Sequence, residues 1–279
     1  MTDGDVYVSP RHLTCATLNS HHGHAPLDRL GWPLNYDTHG NVYLTAPDRK
    51  VRLGFLPEGP DDGLWRINAY EDPFGPPAWG VCFNDSCPTE LVTAFTTALA
   101  AAYEQGPDAY LAKPATGSTD SDFFLPFVPL ITRGWPIDHP RWGVFAVQSP
   151  DHLATVEYTT GDLDPTAELT TREARWHLWT GPAERPLWYA TATTDTPTAL
   201  IRAVTETLSD PAPLPRWRRE THTYAEGLAQ LTPILPPGPP IPTPLDIRRT
   251  VSRRPATLHA AGVPRWSTTS RPVLPGPRR

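Results

Sequence analysis

No stretch of about 18 apolar residues occurs in this sequence, so no transmembrane helix is expected. The first ten residues, Met1 to Pro10, are polar and acidic. They lack the basic and apolar regions of a secretory leader, which points to a cytoplasmic protein. Cysteine is scarce: Cys15, Cys82 and Cys87 are an odd set without a disulfide framework and fit a reducing compartment. Cys82 and Cys87 have no second pair to complete a zinc knuckle and read as core or surface thiols. Catalytic signatures are missing too. There is no nucleophile elbow, no phosphate-cradling glycine loop and no dinucleotide fingerprint. The expectation is a protein with no enzymatic activity, no cofactor, no metal and no membrane partner.

Lysine occurs only at positions 50 and 113, so arginine supplies nearly all the positive charge. That charge is unevenly placed. Residues 213–279 hold eleven arginines against Glu220, Glu226 and Asp246, a net +8, which leaves −14 on residues 1–212 within the chain total of −6. An acidic body with a basic tail suggests a polyanionic partner for the tail. Seven prolines between Thr232 and Pro244 exclude helix and central strand, and few apolar residues follow Arg248. Residues 213–279 are therefore expected to be largely disordered, with a polyproline-like spacer.

The sequence repeats itself. Gly31-Trp32-Pro33 returns as Gly134-Trp135-Pro136, and Ala46-Pro47-Asp48 as Ser149-Pro150-Asp151. Trp65 matches Trp176, and Pro77-x-Trp79 matches Pro186-x-Trp188. Pro88-Thr89-x-Leu91 matches Pro197-Thr198-x-Leu200. The matches keep one order, with a small insertion in the second copy. Within a copy, Val42 to Thr45, Val51 to Phe55, Leu64 to Tyr70 and Ala78 to Phe83 are β-rich or alternate with period two, separated by turn residues. Leu91, Val92, Phe95, Leu99 and Ala102 then fall at helical spacing, and Gly106-Pro107 ends the helix. The second copy ends in a helix from about Thr198 to Leu208. The predicted fold class is α+β: two tandem modules, each an antiparallel sheet of four to five strands followed by one C-terminal helix. Their bounds are 5–105 and 123–212, with a linker at 106–122 and the tail from 213.

Taken together, these motifs resemble the SPDY-domain family, an actinobacterial domain of unknown function found twice per chain. The residues that carry the resemblance are Gly40-Asn-Val-Tyr43, Ala46-Pro-Asp48, Leu64-Trp-Arg-Ile67 and Asp72-Pro-Phe-Gly-Pro-Pro77 in the first copy. In the second they are Ser149-Pro-Asp151 and Thr170-Thr-Arg-Glu-Ala-Arg-Trp176. The likeness spans about residues 5 to 212. It implies no catalytic residues.

The remaining candidates are surface features. His21, His22 and His24 sit in a Gly-containing segment read as a polar loop, and Asp61, Asp62, Asp162 and Asp164 read as turn residues. The recurring tryptophans are expected in the core. The opposite sheet face would show Arg52, Arg66 and Asn68 in one copy, and Arg175, His177, Trp179 and Tyr189 in the other. Arginine and aromatic groups on an open sheet can stack on bases and track phosphates. With Arg216, Arg218, Arg219, Arg248, Arg249, Arg253 and Arg254 of the tail, they form the expected surface for a nucleic-acid partner, DNA in the first instance. The alternative is a protein–protein adaptor whose proline-rich tail is a second docking site.

Overall fold

Short alternating segments separated by Gly, Pro and Asp turns can bury only one face each, so they must pair edge to edge before a helix covers them. The computed structural model describes residues 5–16, 21–59, 63–112, 122–139, 142–171, 173–218, 221 and 227–234. The chain divides into two units, 1–234 and 235–279, and every described element lies in the first.

The chain enters through strand β1 (Asp5–Ser9), a 3-10 turn (Arg11–Leu13) and helix α1 (His21–Asp28). The first meander follows: β2 (Leu34–Tyr36), β3 (Val42–Thr45), β4 (Val51–Phe55), β5 (Trp65–Ala69) and β6 (Trp79–Phe83). Helices α2 (Thr89–Gln105) and α3 (Pro107–Tyr110) close it. The second copy opens with a 3-10 segment (Asp122–Phe127) and α4 (Val128–Thr132). It continues through β7 (Ile137–Asp138), β8 (Val144–Gln148), β9 (Ala154–Thr159), α5 (Pro165–Thr170), β10 (Trp176–Thr180) and β11 (Trp188–Ala192). Helix α6 (Thr198–Leu208) ends it, and β12 (Leu214–Trp217) and β13 (Gln230–Pro233) follow.

The two meanders form one antiparallel sheet of ten strands, in the order β2-β3-β4-β5-β6-β11-β10-β9-β8-β7. They join edge to edge through β6 and β11, where Cys82 stands opposite Thr191. Those two residues occupy equivalent positions, so a local pseudo-twofold axis passes between them. The flanking bonds obey it. Asn84 N–H donates to the Tyr189 carbonyl and Thr193 N–H to the Gly80 carbonyl, at 3.1 and 3.0 Å. Asn84 Oδ1 accepts from Tyr189 N–H and Thr193 Oγ1 from Gly80 N–H, each at 3.0 Å. Joining at these edges removes two exposed strands that would otherwise template aggregation.

One face of the sheet carries the core. Trp65, Ile67, Trp79, Val81, Phe83, Trp176, Leu178 and Trp188 point to it, together with Leu91, Phe95, Leu99, Leu200 and Val204 from α2 and α6, which pack against each other. Phe95 lies edge-on to both Trp79 and Phe83. Trp65, Trp79, Trp176 and Trp188 are buried, as their alternation predicts, and Trp32 and Trp135 are buried too.

Three expectations need correction. The histidine segment is not a loop but α1, tied to α2 by Thr96 Oγ1 donating to the Gly23 carbonyl at 2.8 Å. The segment read as a linker begins with α3, whose Tyr110 is buried. The segment read as a disordered tail begins with β12, and β13 follows it. Both pair with β1 in a separate three-stranded sheet, so the start of the tail is ordered by backbone bonds to the N-terminal strand. The rest of the tail, from 235, lies outside the described residues.

Candidate functional site

The face of the ten-stranded sheet opposite α2 and α6 is where the two copies meet as a surface. Strand register places Arg66, Cys82, Thr191 and His177 in one row across β5, β6, β11 and β10. Arg66 and His177 are equivalent positions flanking the pseudo-axis, three strand spacings or about 14 Å apart. Glu157 of β9 continues the row. The rows on either side of it break the symmetry: Asn68 and Gly80, in line with Thr193, have as their counterparts across the pseudo-axis Trp179 and Tyr189, in line with Asn84.

The insertion of the second copy lies on this face. It contains α5, whose N-terminus is capped by Asp164, accepting from Thr166 N–H at 2.8 Å, with Pro165 at the first helical position. Glu168 fastens α5 to the sheet. Its Oε1 accepts from the backbone N–H of Arg175 at 3.0 Å and of Thr194 at 2.9 Å. Burial pushes the Glu168 carboxyl up, and these bonds and the Arg175 charge offset only part of that. Leu169 reaches over Gly80, where an added Cβ would stand 3.1 Å from Leu169 Cδ2 and 2.7 Å from Asn68 Oδ1. Between α5 and the sheet remains a cleft of about 270 Å³. Arg66, Asn68, Cys82, Tyr189 and Thr191 form its floor, and Leu169, Thr170 and Thr171 its roof.

The predicted binding residues are dispersed. Arg52 is exposed, but it stacks on the Tyr70 ring at 4.4 Å and donates to the Pro73 carbonyl at 2.6 Å. Arg66 and His177 are half-buried on the expected face. Arg175 is not on an open face: it is buried, donating to the carbonyls of Thr159 and Gly161 and to Thr194 Oγ1. It precedes β10, so the alternation counted from Trp176 does not fix its direction. Trp179 and Tyr189 face outward by register yet are buried, which removes them as open stacking platforms. Arg216 is also corrected. It is 4% exposed and forms a two-pronged ion pair with Glu90, at 2.8 and 2.5 Å, which staples β12 to α2. Arg218 is half-buried, and Arg219, Arg248, Arg249, Arg253 and Arg254 lie outside the described residues.

The other titratable groups are structural. No group of three metal-ligating side chains occurs among the described residues, and His24 is buried, its pKa lowered by burial and then by His21. The Cys87 thiol is pushed up by burial and then by Cys82. Arg11 and Arg133 gather at the C-terminal end of α6. Arg11 pairs with Asp210 at 2.7 Å, and Arg133 donates to the Glu206 carbonyl and Ser209 Oγ. There they satisfy the last carbonyls of the helix and its dipole. No helix among the described residues is long and apolar enough to cross a membrane.

In the sequence the repeated Pro-Asp segments carry only a turn signal, and nothing local points to their contacts. Asp48 and Asp151 each accept from the backbone N–H two residues on, Lys50 and Leu153, and the residue after each aspartate, Arg49 or His152, has φ of +62° or +60°. Asp48 also accepts from the Tyr110 hydroxyl at 3.0 Å, and Asp151 bonds His12 Nε2 at 2.8 Å. Sequence distance hid both partners. His12 lies 139 residues from Asp151.

No curated protein and no solved structure matches the chain at a significant level. Residues 45–104 and 148–214 each match the model of SPDY, a domain of unknown function (DUF317). Both matched stretches start at a Pro-Asp turn and run through the helix that follows the last strand of the meander. The chain thus carries two tandem SPDY domains, joined here in one sheet.

Proposed function

We propose that the protein is a non-enzymatic interaction adaptor that offers the face of its joint sheet opposite α2 and α6, and the cleft under α5, to a segment of a partner protein. The cleft carries this reading. At about 270 Å³ it suits one or two side chains rather than a larger organic ligand. Its floor offers one guanidinium, an amide and hydroxyl groups, which match peptide chemistry. Its carboxylate, Glu168, already serves two backbone donors and holds the roof, so it is not poised as an acid or base. Exposed aromatics elsewhere, Phe74, Trp142 and Trp217, are residue types that interfaces favour.

A second reading, nucleic-acid binding, is favoured by Arg52 and Arg66 on adjacent strands of this face and by the +8 tail. Against it, the insertion around α5 carries the exposed carboxylates Asp162, Asp164 and Glu173, which repel a duplex.

One experiment separates the readings. A displayed random-peptide library is selected on the full chain and on Thr170→Trp, which fills the cleft from an exposed position. Enrichment of a motif that Thr170→Trp abolishes supports the adaptor. Failure to enrich any motif, with sequence-selective retention of genomic DNA fragments at physiological salt that falls in Arg52→Ala and Arg66→Ala, replaces it with the nucleic-acid reading.

A further inference from the structure

Each module holds one residue of a flanking segment by the same two contacts, although the two residues differ in kind and origin. In the first copy, Asp48 accepts from the Tyr110 hydroxyl at 3.0 Å, and the Trp79 indole N–H donates to the Tyr110 carbonyl at 2.8 Å. In the second, Asp151 bonds His12 Nε2 at 2.8 Å, and the Trp188 indole N–H donates to the His12 carbonyl at 2.9 Å. Asp48 and Asp151 are equivalent in the repeat, and so are Trp79 and Trp188. Tyr110 and His12 are not. Tyr110 follows the last helix of the first matched stretch, whereas His12 precedes both matched stretches.

The shared positions are therefore the receiving ones. A carboxylate takes a ring donor, and an indole N–H takes the carbonyl of that same residue. Unrelated flanks have no reason of descent to arrive at this pair of bonds. A residue without a ring donor would leave the aspartate without that bond. We propose that the turn aspartate and the strand tryptophan of this module form a recognition socket for a peptide segment presenting one Tyr or His, and that both sockets of this chain are filled by its own segments.

In the second copy the occupant carries the N-terminal segment with it. His12 lies edge-on to Trp135, and a cavity of about 460 Å³ beside it is lined by Pro10, Arg11, Pro150, Leu208 and Pro211. That space leaves room for the longer tyrosine ring. The socket is distinct from the cleft under α5 and does not depend on what the cleft binds.

The test exchanges the occupants in the full chain. Solvent exchange of the Trp188 and Trp79 indole N–H groups is followed by NMR, with Trp188→Phe and Trp79→Phe for assignment. His12→Tyr and Tyr110→His should keep their tryptophan within about two-fold of the parent rate, because each supplies a ring donor. His12→Phe and Tyr110→Phe should speed exchange at least about ten-fold at the affected tryptophan and leave the other unchanged, the scale expected for one hydrogen bond to a charged group. Unchanged exchange in both Phe variants, or losses in the Tyr/His swaps as large as in the Phe variants, would overturn the proposal. The sockets are independent, so if one set of variants does not fold, the other decides.

Discussion

Arg49 and His152 hold a left-handed backbone at the same place in each Pro-Asp turn. A side chain there carries roughly 1 kcal/mol of steric cost that glycine avoids. Arg49→Gly and His152→Gly should each leave the chain as stable or up to about 1 kcal/mol more stable, the gain being trimmed by glycine's unfolded-state entropy. Denaturant midpoints read this directly. Asp151 behaves differently. Burial alone would raise its pKa, but the His12 and Ser149 hydrogen bonds outweigh that and hold the carboxyl well below its usual range. A depressed acid adds stability that is fully present above the unfolded value of about 3.9 and is lost as pH falls through the folded value. Asp151→Asn should cost about 1 kcal/mol at neutral pH, a modest figure because the side chain is 35% exposed. It should also flatten the acid limb of a urea-unfolding profile, and an unaltered limb would show that Asp151 is not its source. Gly23 makes a third case. A Cβ there would meet the Trp65 ring at 2.6 Å, and the contact is with a packed indole. Gly23→Ala should destabilise by about 1–3 kcal/mol although alanine is the better helix former.

Among the elements, the long strands of the meander and the two long helices were legible in the sequence because each buries one face, whereas β1, β12 and β13 were not. Val51, Leu53 and Trp65, Ile67 alternate as half-buried strands must, and Leu91, Phe95 and Leu99 keep one helical stripe. Helix α1 was not legible. It is eight residues long and holds Gly23 and Pro26, both poor helix formers, and it exists because Gly23 lets it sit against Trp65. Helix α5 had readable signals in Asp164 and Pro165, but nothing local said that it would lie across the outer face of the sheet. That placement depends on Glu168 reaching two backbone donors that both follow it in sequence, Arg175 just before β10 and Thr194 just after β11. Glu168→Gln keeps an acceptor oxygen and removes a charge that burial disfavours, so it should change stability by less than about 1 kcal/mol. Glu168→Ala strands two N–H groups and should cost about 2–3 kcal/mol. Amide exchange at Arg175 and Thr194 would separate the two variants. The cleft was half legible: Arg66 was placed on the right face by alternation, while its roof, made by the insertion, was not foreseen.

At the scale of the molecule, the β6–β11 seam makes two modules into one folding unit. Proline at the pairing centre removes a ladder donor and is confined to edges in native sheets. Thr191→Pro should therefore lower stability by about 3 kcal/mol or more, and calorimetry on the parent chain should show one transition rather than two. The stretch 45–104 that matches the family model omits α1, Trp32 and β2, whose Leu27 and Trp32 complete the core. A chain of residues 45–104 should stay unfolded by circular dichroism, because α2 alone is left to cover a sheet that has lost Leu27, Trp32 and its β11 neighbour.

An antiparallel seam in which a position meets its own counterpart is the contact that two identical chains make as an isologous dimer. Here Cys82 faces Thr191, so the two SPDY domains are arranged as a fused dimer would be. In a true homodimer every mutation is applied twice, and a roof such as α5 on both halves would crowd the axis from two sides. Fusion lifts that constraint. One half could keep Gly80 and Asn68 small and open, while the other filled the same positions with Tyr189 and Trp179 and grew the insertion that leans over its neighbour. The cleft is thus a product of broken symmetry, available to a tandem chain and closed to a symmetric pair.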